Sequence, residues 1–177
     1  MFVTFRYLGR LGRLGNQLFQ IASVIGVARS SGCDFLLPPW PYARHFARSV
    51  PQSNRNPVVA QYVEQSFTYQ EIVVRESVNL VGFFQSERYF KHCEPEIRGL
   101  FAPHPRLAEY VESKFGRLLQ EETCSLHVRR TDYVGHPNYV DVDGLGHYDA
   151  AWSRPIAAAC CTDDRHSRST WLYLPTQ

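Results

Sequence analysis

The sequence is short of the features that mark secreted, membrane-spanning and zinc-binding proteins. Its five cysteines form no CxxC pair and no Cys/His spacing suited to zinc, and no Asn-x-Ser/Thr acceptor occurs. The opening MFVTFRYLGR has too short an apolar run for a signal peptide or a membrane span. We therefore expect free thiols, a cytoplasmic location for the chain as written, and no membrane partner. Loss of an upstream anchor would change that expectation to a membrane or Golgi-lumenal protein.

Acidic residues and lysine are nearly missing from the first third of the chain. Residues 1–56 contain seven arginines, no lysine and a single acid, Asp34, whereas the rest of the chain leans acidic. The whole chain of 177 residues carries a net charge of only +2, which argues against a nucleic-acid partner. A basic cluster confined to one end favours a small anionic ligand instead.

The apolar residues that are present predict alternating strands and helices. A hydrophobic fraction of 44% is enough for a core, and the length suits one domain or one domain plus a piece of a second. Period and composition predict strands at 2–5, 34–37, 79–84 and 124–128, and helices from 16 to the serines at 30–31, at 86–92 and at 107–119. Such alternation predicts an α/β fold with a largely parallel sheet. Residues 38–58 carry five prolines and predict a long loop at the ligand cleft.

A glycine-rich segment, LGRLGRLGNQ, joins the first predicted strand to the first predicted helix. Glycines in such a loop let backbone N–H groups approach a phosphate, and the following helix presents its positive end. The spacing is neither GxGxxG nor GxxxxGK[ST]. Phosphate binding and a tight turn that only packs helix on strand therefore both stay open.

A second basic segment, HVRRTDYVG, follows the strand predicted at 124–128. Two arginines at a strand end suit a bidentate grip on a diphosphate. An exposed arginine pair with Asp132 as its ion-pair partner is the alternative.

Three segments together resemble the α-1,2-fucosyltransferase family, glycosyltransferase family 11. They are GRLGNQLFQIA at 12–22, GFFQSERYF at 82–90 and HVRRTDYVG at 127–135, which contains HxRRxDY. The resemblance implies Rossmann-like α/β layers of the GT-B type and GDP-fucose as donor substrate, with no further cofactor. It also implies transfer of L-fucose to a terminal galactoside hydroxyl with inversion, so a galactoside-containing glycan is the expected acceptor.

The resemblance assigns roles in the HxRRxDY segment. Arg129 matches the arginine that holds the donor's β-phosphate, Arg130 supports that loop, and His127 lies near the nucleoside. Fixed arginines stabilise the charge that develops on GDP without a metal, so metal-independent transfer is expected. Asp132 is the candidate general base, although a neighbouring arginine lowers a carboxyl pKa and makes orientation of the arginines an equal alternative.

The glycine segment receives its roles from the same resemblance. Arg13 and Asn16 match positions that face the sugar nucleotide in related fucosyltransferases, and Arg13 is included among the catalytic residues. Gly12 and Gly15 are expected to bring backbone to the donor. Gly9 and Arg10 belong to a duplicated triplet and are expected to be dispensable.

The segment 82–90 is the candidate acceptor surface. Its aromatic and amide side chains are predicted to face a galactoside, with burial of the aromatic rings in the core as the alternative. Phe84 and Gln85 are the predicted acceptor residues, and the surface also includes Phe83, Tyr89 and Phe90.

Domain organisation follows from the extent of the resemblance. Residues 1–120 are expected to form the amino-terminal Rossmann-like domain and 121–150 the start of the GDP-fucose-binding domain, with most of that second domain missing. Residues 151–177 show no family resemblance, which suggests a truncated or frame-altered product. An inactive remnant, or a domain that binds GDP or a glycan without turnover, is therefore the alternative to an active transferase.

Overall fold

A computed structural model describes residues 1–48, 50–55 and 57–120. By its internal contacts the chain divides into two compact units, Met1–Tyr110 and Val111–Gln177. The fold described below is that of the first unit, except that the last helix continues into the second unit at residues 111–119. The predicted segments 121–150 and 151–177, and the strand predicted at 124–128, lie outside the described residues and stay predictions.

The first unit is built on a parallel four-stranded sheet in the order β2-β1-β4-β3. The strands are β1 (Phe2–Thr4), β2 (Asp34–Leu36), β3 (Ala60–Val63) and β4 (Val78–Val81). Strand β1 pairs in parallel with β2 on one side and with β4 on the other. The α/β class and the parallel sheet are confirmed, and they are consistent with a Rossmann-like fold.

Helix α1 (Leu14–Ser30) connects β1 to β2 and lies against both strands. Its residues 20–28 are all buried, so the helix is central to the core. Gly26 permits this packing, because a Cβ there would lie 2.7 Å from the Cα of Phe90 and overlap the carbonyl oxygen of Tyr89. The helix begins two residues earlier than the sequence predicts and ends at the predicted serine.

The remaining helices are α2 (Glu94–Leu100) and α3 (Pro105–Leu119). Helix α3 confirms the helix predicted at 107–119. No helix within the described residues combines the length and apolarity that crossing a membrane requires.

The helix predicted at 86–92 is wrong. Two 3-10 turns, Glu87–Tyr89 and Lys91–Cys93, occupy that stretch, and α2 follows them. Pro95 stands in the first turn of α2, where a missing N–H costs nothing. A helix that ran on from 86 through Pro95 would lose a hydrogen bond and clash with the preceding turn, so the proline marks the start of α2 and not the interior of a longer helix.

Two strand predictions need correction. Strand β3 went unpredicted, because it is an edge strand with mostly exposed side chains and therefore lacks the alternation of a half-buried strand. Strand β4 ends at Val81 instead of continuing to residue 84. Gly82 has a φ of 154° and Phe84 a φ of 51°, so the backbone leaves the extended conformation at that point.

Candidate functional site

The candidate site lies where the adjacent parallel strands β1 and β4 end. The chain leaves β1 into the loop 5–13 and α1 on one side, and leaves β4 into the loop 82–86. The two strand ends are tied together by the buried Asn79 of β4, whose Oδ1 accepts the Arg6 backbone N–H at 2.8 Å. In open α/β sheets, ligands bind beyond the carboxyl ends of strands where neighbouring connections diverge.

The loop from residue 8 to residue 15 places glycine where the backbone requires it. Gly9 and Gly12 have φ angles of 83° and 74°, which other residues adopt only with strain. A Cβ on Gly12 would lie 2.5 Å from the Asn16 Nδ2 atom, so no side chain fits there. No atom of the described residues would lie within 4 Å of a Cβ on Gly15. Gly15 therefore leaves the backbone open at the start of α1.

The amino end of α1 carries positive character. Arg13 is the N-cap residue and makes no side-chain cap hydrogen bond, and the first turn contains no acidic residue. The first N–H groups of a helix have no partner within it and attract anions. This end of α1 therefore has the electrostatics of an anion site.

Two buried glutamines of α1 hold the glycine loop in place. Gln17 donates from Nε2 to the Gly12 carbonyl at 2.9 Å. Gln20 donates to the Leu11 carbonyl at 3.1 Å and to the Gly82 carbonyl at 3.2 Å. The sequence analysis missed both residues, although amides on the otherwise apolar face of NQLFQIA were the available signal.

The structure brings two of the predicted segments into contact. Gln85, in the loop after β4, donates from Nε2 to the Asn16 Oδ1 at 2.6 Å. Gln85 is predicted to contact the galactoside and Asn16 to contact the sugar nucleotide. These two residues are therefore neighbours, although 69 positions separate them in the chain. Gln85 is exposed at the surface.

Phe84 lies in the core. Its side chain is fully buried, and its ring packs edge-on against Tyr89 with centroids 5.6 Å apart. The structure therefore places Phe84 as the buried-ring alternative describes, and of the two predicted acceptor residues only Gln85 reaches the surface. Burial also raises the pKa of the Tyr89 hydroxyl, which accepts the Gln70 backbone N–H at 3.2 Å.

Glu64 shapes the loop after β4, and the sequence analysis missed it. Its carboxylate accepts the backbone N–H groups of Phe83 at 2.7 Å and Phe84 at 3.0 Å. These bonds take the place of a strand ladder and hold Phe84 in its left-handed conformation. Because Gln85 comes next in the chain, Glu64 also sets where Gln85 meets α1.

The other predicted site residues lie outside the described part of the chain. They are His127, Arg129, Arg130 and Asp132, and their roles stay predictions. An Asp-Val-Asp triplet, which has DxD spacing, stands at 141–143, also outside the described residues. It is no part of the predicted site, and metal independence stays a prediction.

A cavity of about 960 Å³ lies along β2 and includes no predicted site residue. Its walls carry both apolar side chains and two arginines. The lining residues are Met1, Phe2, Arg29, Asp34, Phe35, Leu36, Pro51, Arg55 and Pro57.

Comparison with known proteins relates the chain to fucosyltransferases. It is 29% identical over 143 residues to galactoside alpha-(1,2)-fucosyltransferase 1 of Homo sapiens, and equally to those of Gorilla gorilla gorilla and Saimiri boliviensis boliviensis. Each match covers 70% of this chain and 38% of the relative. The chain thus spans about two fifths of the length of the curated relatives it matches. No protein-family model matches it.

Proposed function

We propose that this chain acts as a galactoside α-1,2-fucosyltransferase of glycosyltransferase family 11, with the GT-B arrangement and GDP-fucose as donor. The observation that supports this proposal most directly is the anion-attracting amino end of α1. It follows a glycine loop that leaves its backbone accessible, and it is hydrogen-bonded to the loop after β4. The sequence relationship to galactoside alpha-(1,2)-fucosyltransferases supplies the substrate class.

The proposed reaction is a single displacement at the fucose anomeric carbon. An acceptor hydroxyl oxygen forms the new bond to that carbon while the bond to the β-phosphate oxygen breaks, which inverts the configuration. The electron pair of the broken bond leaves with GDP, and the hydroxyl proton passes to a base, for which Asp132 is the candidate. Fixed positive groups that face the departing phosphate lower the barrier.

The described residues have a definite part in this scheme. The open backbone at Gly15 and the amino end of α1 receive negative charge, and Arg13 adds a full positive charge at the N-cap position. Gln85 and Asn16 stand beside that charge and offer amide groups to sugar hydroxyls. The glycine loop is ordered before ligand binding, because Gln17 and Gln20 already hold its carbonyl groups.

Calorimetric titration of the chain with GDP and with GDP-fucose tests donor binding. Arg13→Ala is expected to weaken both affinities about tenfold, as loss of a charged contact to phosphate does. Arg10→Ala is the matched control, because it removes the same charge one triplet earlier and is expected to leave the affinity unchanged. Arg129→Ala tests the second basic segment in the same titration.

Turnover is measured with GDP-fucose and lactose, by appearance of an α-1,2-linked product in NMR. Repeating the assay after dialysis against EDTA tests metal independence, which predicts an unchanged rate. Binding of GDP-fucose without product would favour the alternative of a binding domain without turnover. Absence of GDP binding by a folded sample would refute the proposal.

A further inference from the structure

An aromatic cluster lies in the long loop after β2, at residues 40–46. Trp40 stacks on Phe46 with ring centroids 5.3 Å apart, and Tyr42 packs edge-on against Trp40 at 6.0 Å. The Tyr42 ring in turn lies 6.2 Å from the imidazole of His45. Trp40 is only 3% exposed, whereas Tyr42 is 39% exposed. The cluster therefore has a buried base, formed by Trp40, and two exposed rings, those of Tyr42 and His45.

Hydrogen bonds fix this cluster on both sides. The Trp40 backbone N–H donates to the Gln52 Oε1 at 2.8 Å. On the other side, the His104 N–H donates to the His45 carbonyl at 2.9 Å, and the His45 N–H to the Tyr42 carbonyl at 3.0 Å. The Tyr42 ring is thus presented by a backbone that is already ordered, which reduces the entropy lost on binding.

The same cluster is joined directly to the glycine loop. The Trp40 indole donates to the Gln17 Oε1 at 2.8 Å, and the Gln17 Nε2 donates to the Gly12 carbonyl at 2.9 Å. Next to Tyr42, the Pro41 Cδ lies 3.7 Å from the position a Cβ on Gly9 would take. One amide side chain therefore links the aromatic cluster to the start of α1, and Pro41, which precedes the exposed Tyr42, lies against the glycine loop.

We propose that Tyr42, flanked by His45, is a stacking subsite for the acceptor galactoside. The inference rests on the proposed function and goes beyond it by naming the residue that holds the acceptor sugar. The apolar C–H face of a galactopyranose packs on an aromatic ring, while its hydroxyls both donate and accept hydrogen bonds. The Nε2 atom of His45 accepts the Arg44 Nε–H at 3.4 Å, which leaves the Nδ1–H to donate to a sugar hydroxyl. A guanine base would present adjacent N–H donors, and the segment 40–47 contains no carboxylate to accept them.

The experiment titrates the full chain with methyl β-D-galactopyranoside and with lactose by ligand-observed NMR, and with GDP by calorimetry. Tyr42→Ala is expected to weaken galactoside binding about fivefold, as loss of one aromatic contact does, with GDP affinity unchanged. Tyr42→Phe keeps the ring and is expected to bind within about twofold of wild type. Tyr110→Ala, which removes another partly exposed tyrosine, is the matched control.

Each outcome bears on a different claim. Unchanged galactoside binding by a folded Tyr42→Ala variant overturns the subsite, as does a wild-type chain that binds no galactoside. If Tyr42→Ala instead loses GDP affinity, the Tyr42 ring contacts the guanine of the donor, which also overturns the galactoside subsite. A wild-type chain that binds galactoside through Tyr42 but does not bind GDP refutes the donor proposal and leaves the subsite standing. Circular dichroism of each variant establishes that it folds.

Discussion

Replacing Glu64 by glutamine perturbs the loop that carries Gln85 without changing its size. The half-buried carboxylate accepts two backbone N–H groups, from Phe83 and Phe84. Glutamine has one oxygen, so one N–H keeps an acceptor and the other faces an NH2 group. A hydrogen bond to a charged group contributes about 1.5–3 kcal/mol. The left-handed conformation of Phe84 itself costs about 1–2 kcal/mol. The backbone of Phe84 therefore does not favour this loop conformation and cannot compensate for the lost hydrogen bond.

We therefore expect Glu64→Gln to lower the free energy of unfolding by about 2 kcal/mol, equivalent to roughly 5–10 °C in Tm for a domain of this size. Urea unfolding followed by circular dichroism measures the difference, with linear extrapolation to water. Glu71→Gln is the matched control, because Glu71 is exposed and is not among the carboxylates that hold this loop.

A cost for Glu64→Gln within about 0.5 kcal/mol of the Glu71→Gln control would refute the reasoning, since surface substitutions have effects of that size. It would mean that the loop holds its shape without the carboxylate. If the loop does loosen, Gln85 also loses its fixed position at Asn16. The proposed galactoside binding should then weaken in the same variant.

Three further predictions follow from packing and charge. Gly26→Ala should lower the free energy of unfolding by about 1–3 kcal/mol, because the new Cβ would overlap the Tyr89 carbonyl; an unaltered urea midpoint would contradict the close approach of α1. Gly15→Ala should leave stability equal or raise it by up to about 1 kcal/mol, since the site is open and alanine favours helix. Its GDP affinity should nevertheless fall, and retained affinity would show that backbone at Gly15 does not meet the donor. The Arg29 side-chain hydrogen bond lowers the pKa of Glu96 below its usual 4.5. The ion pair between Arg29 and Glu96 is therefore fully stabilising above pH 4.5, and its contribution is lost as the pH falls through the lowered pKa of Glu96. Wild type should lose up to about 1 kcal/mol more than Glu96→Gln between pH 5 and 3, and parallel pH curves would contradict the ion pair.

The sequence predicted those features of the candidate site that depend on neighbouring residues in the chain. The need for glycine at Gly12, which has a φ of 74°, was predictable, because it is a local requirement of the backbone. The same need at Gly9, which has a φ of 83°, was not predicted, since that residue was expected to be dispensable. The contact between Gln85 and Asn16 was not predictable from spacing, since neither residue has a pattern of its own. The burial of Phe84 and the role of Glu64 likewise depend on partners distant in sequence.

The sequence by itself determined the elements whose residues repeat with a regular period. The first strand, α1, β2 and α3 follow from apolar spacing, and alternation of strands and helices indicated the parallel sheet, because such patterns record which side of each element is buried. Tertiary structure alone decided where β3 pairs, why the chain turns after Val81, and which side chains meet at the start of α1. Those features arise from contacts between residues far apart in the chain, and such contacts leave no periodic signal in the sequence around either partner.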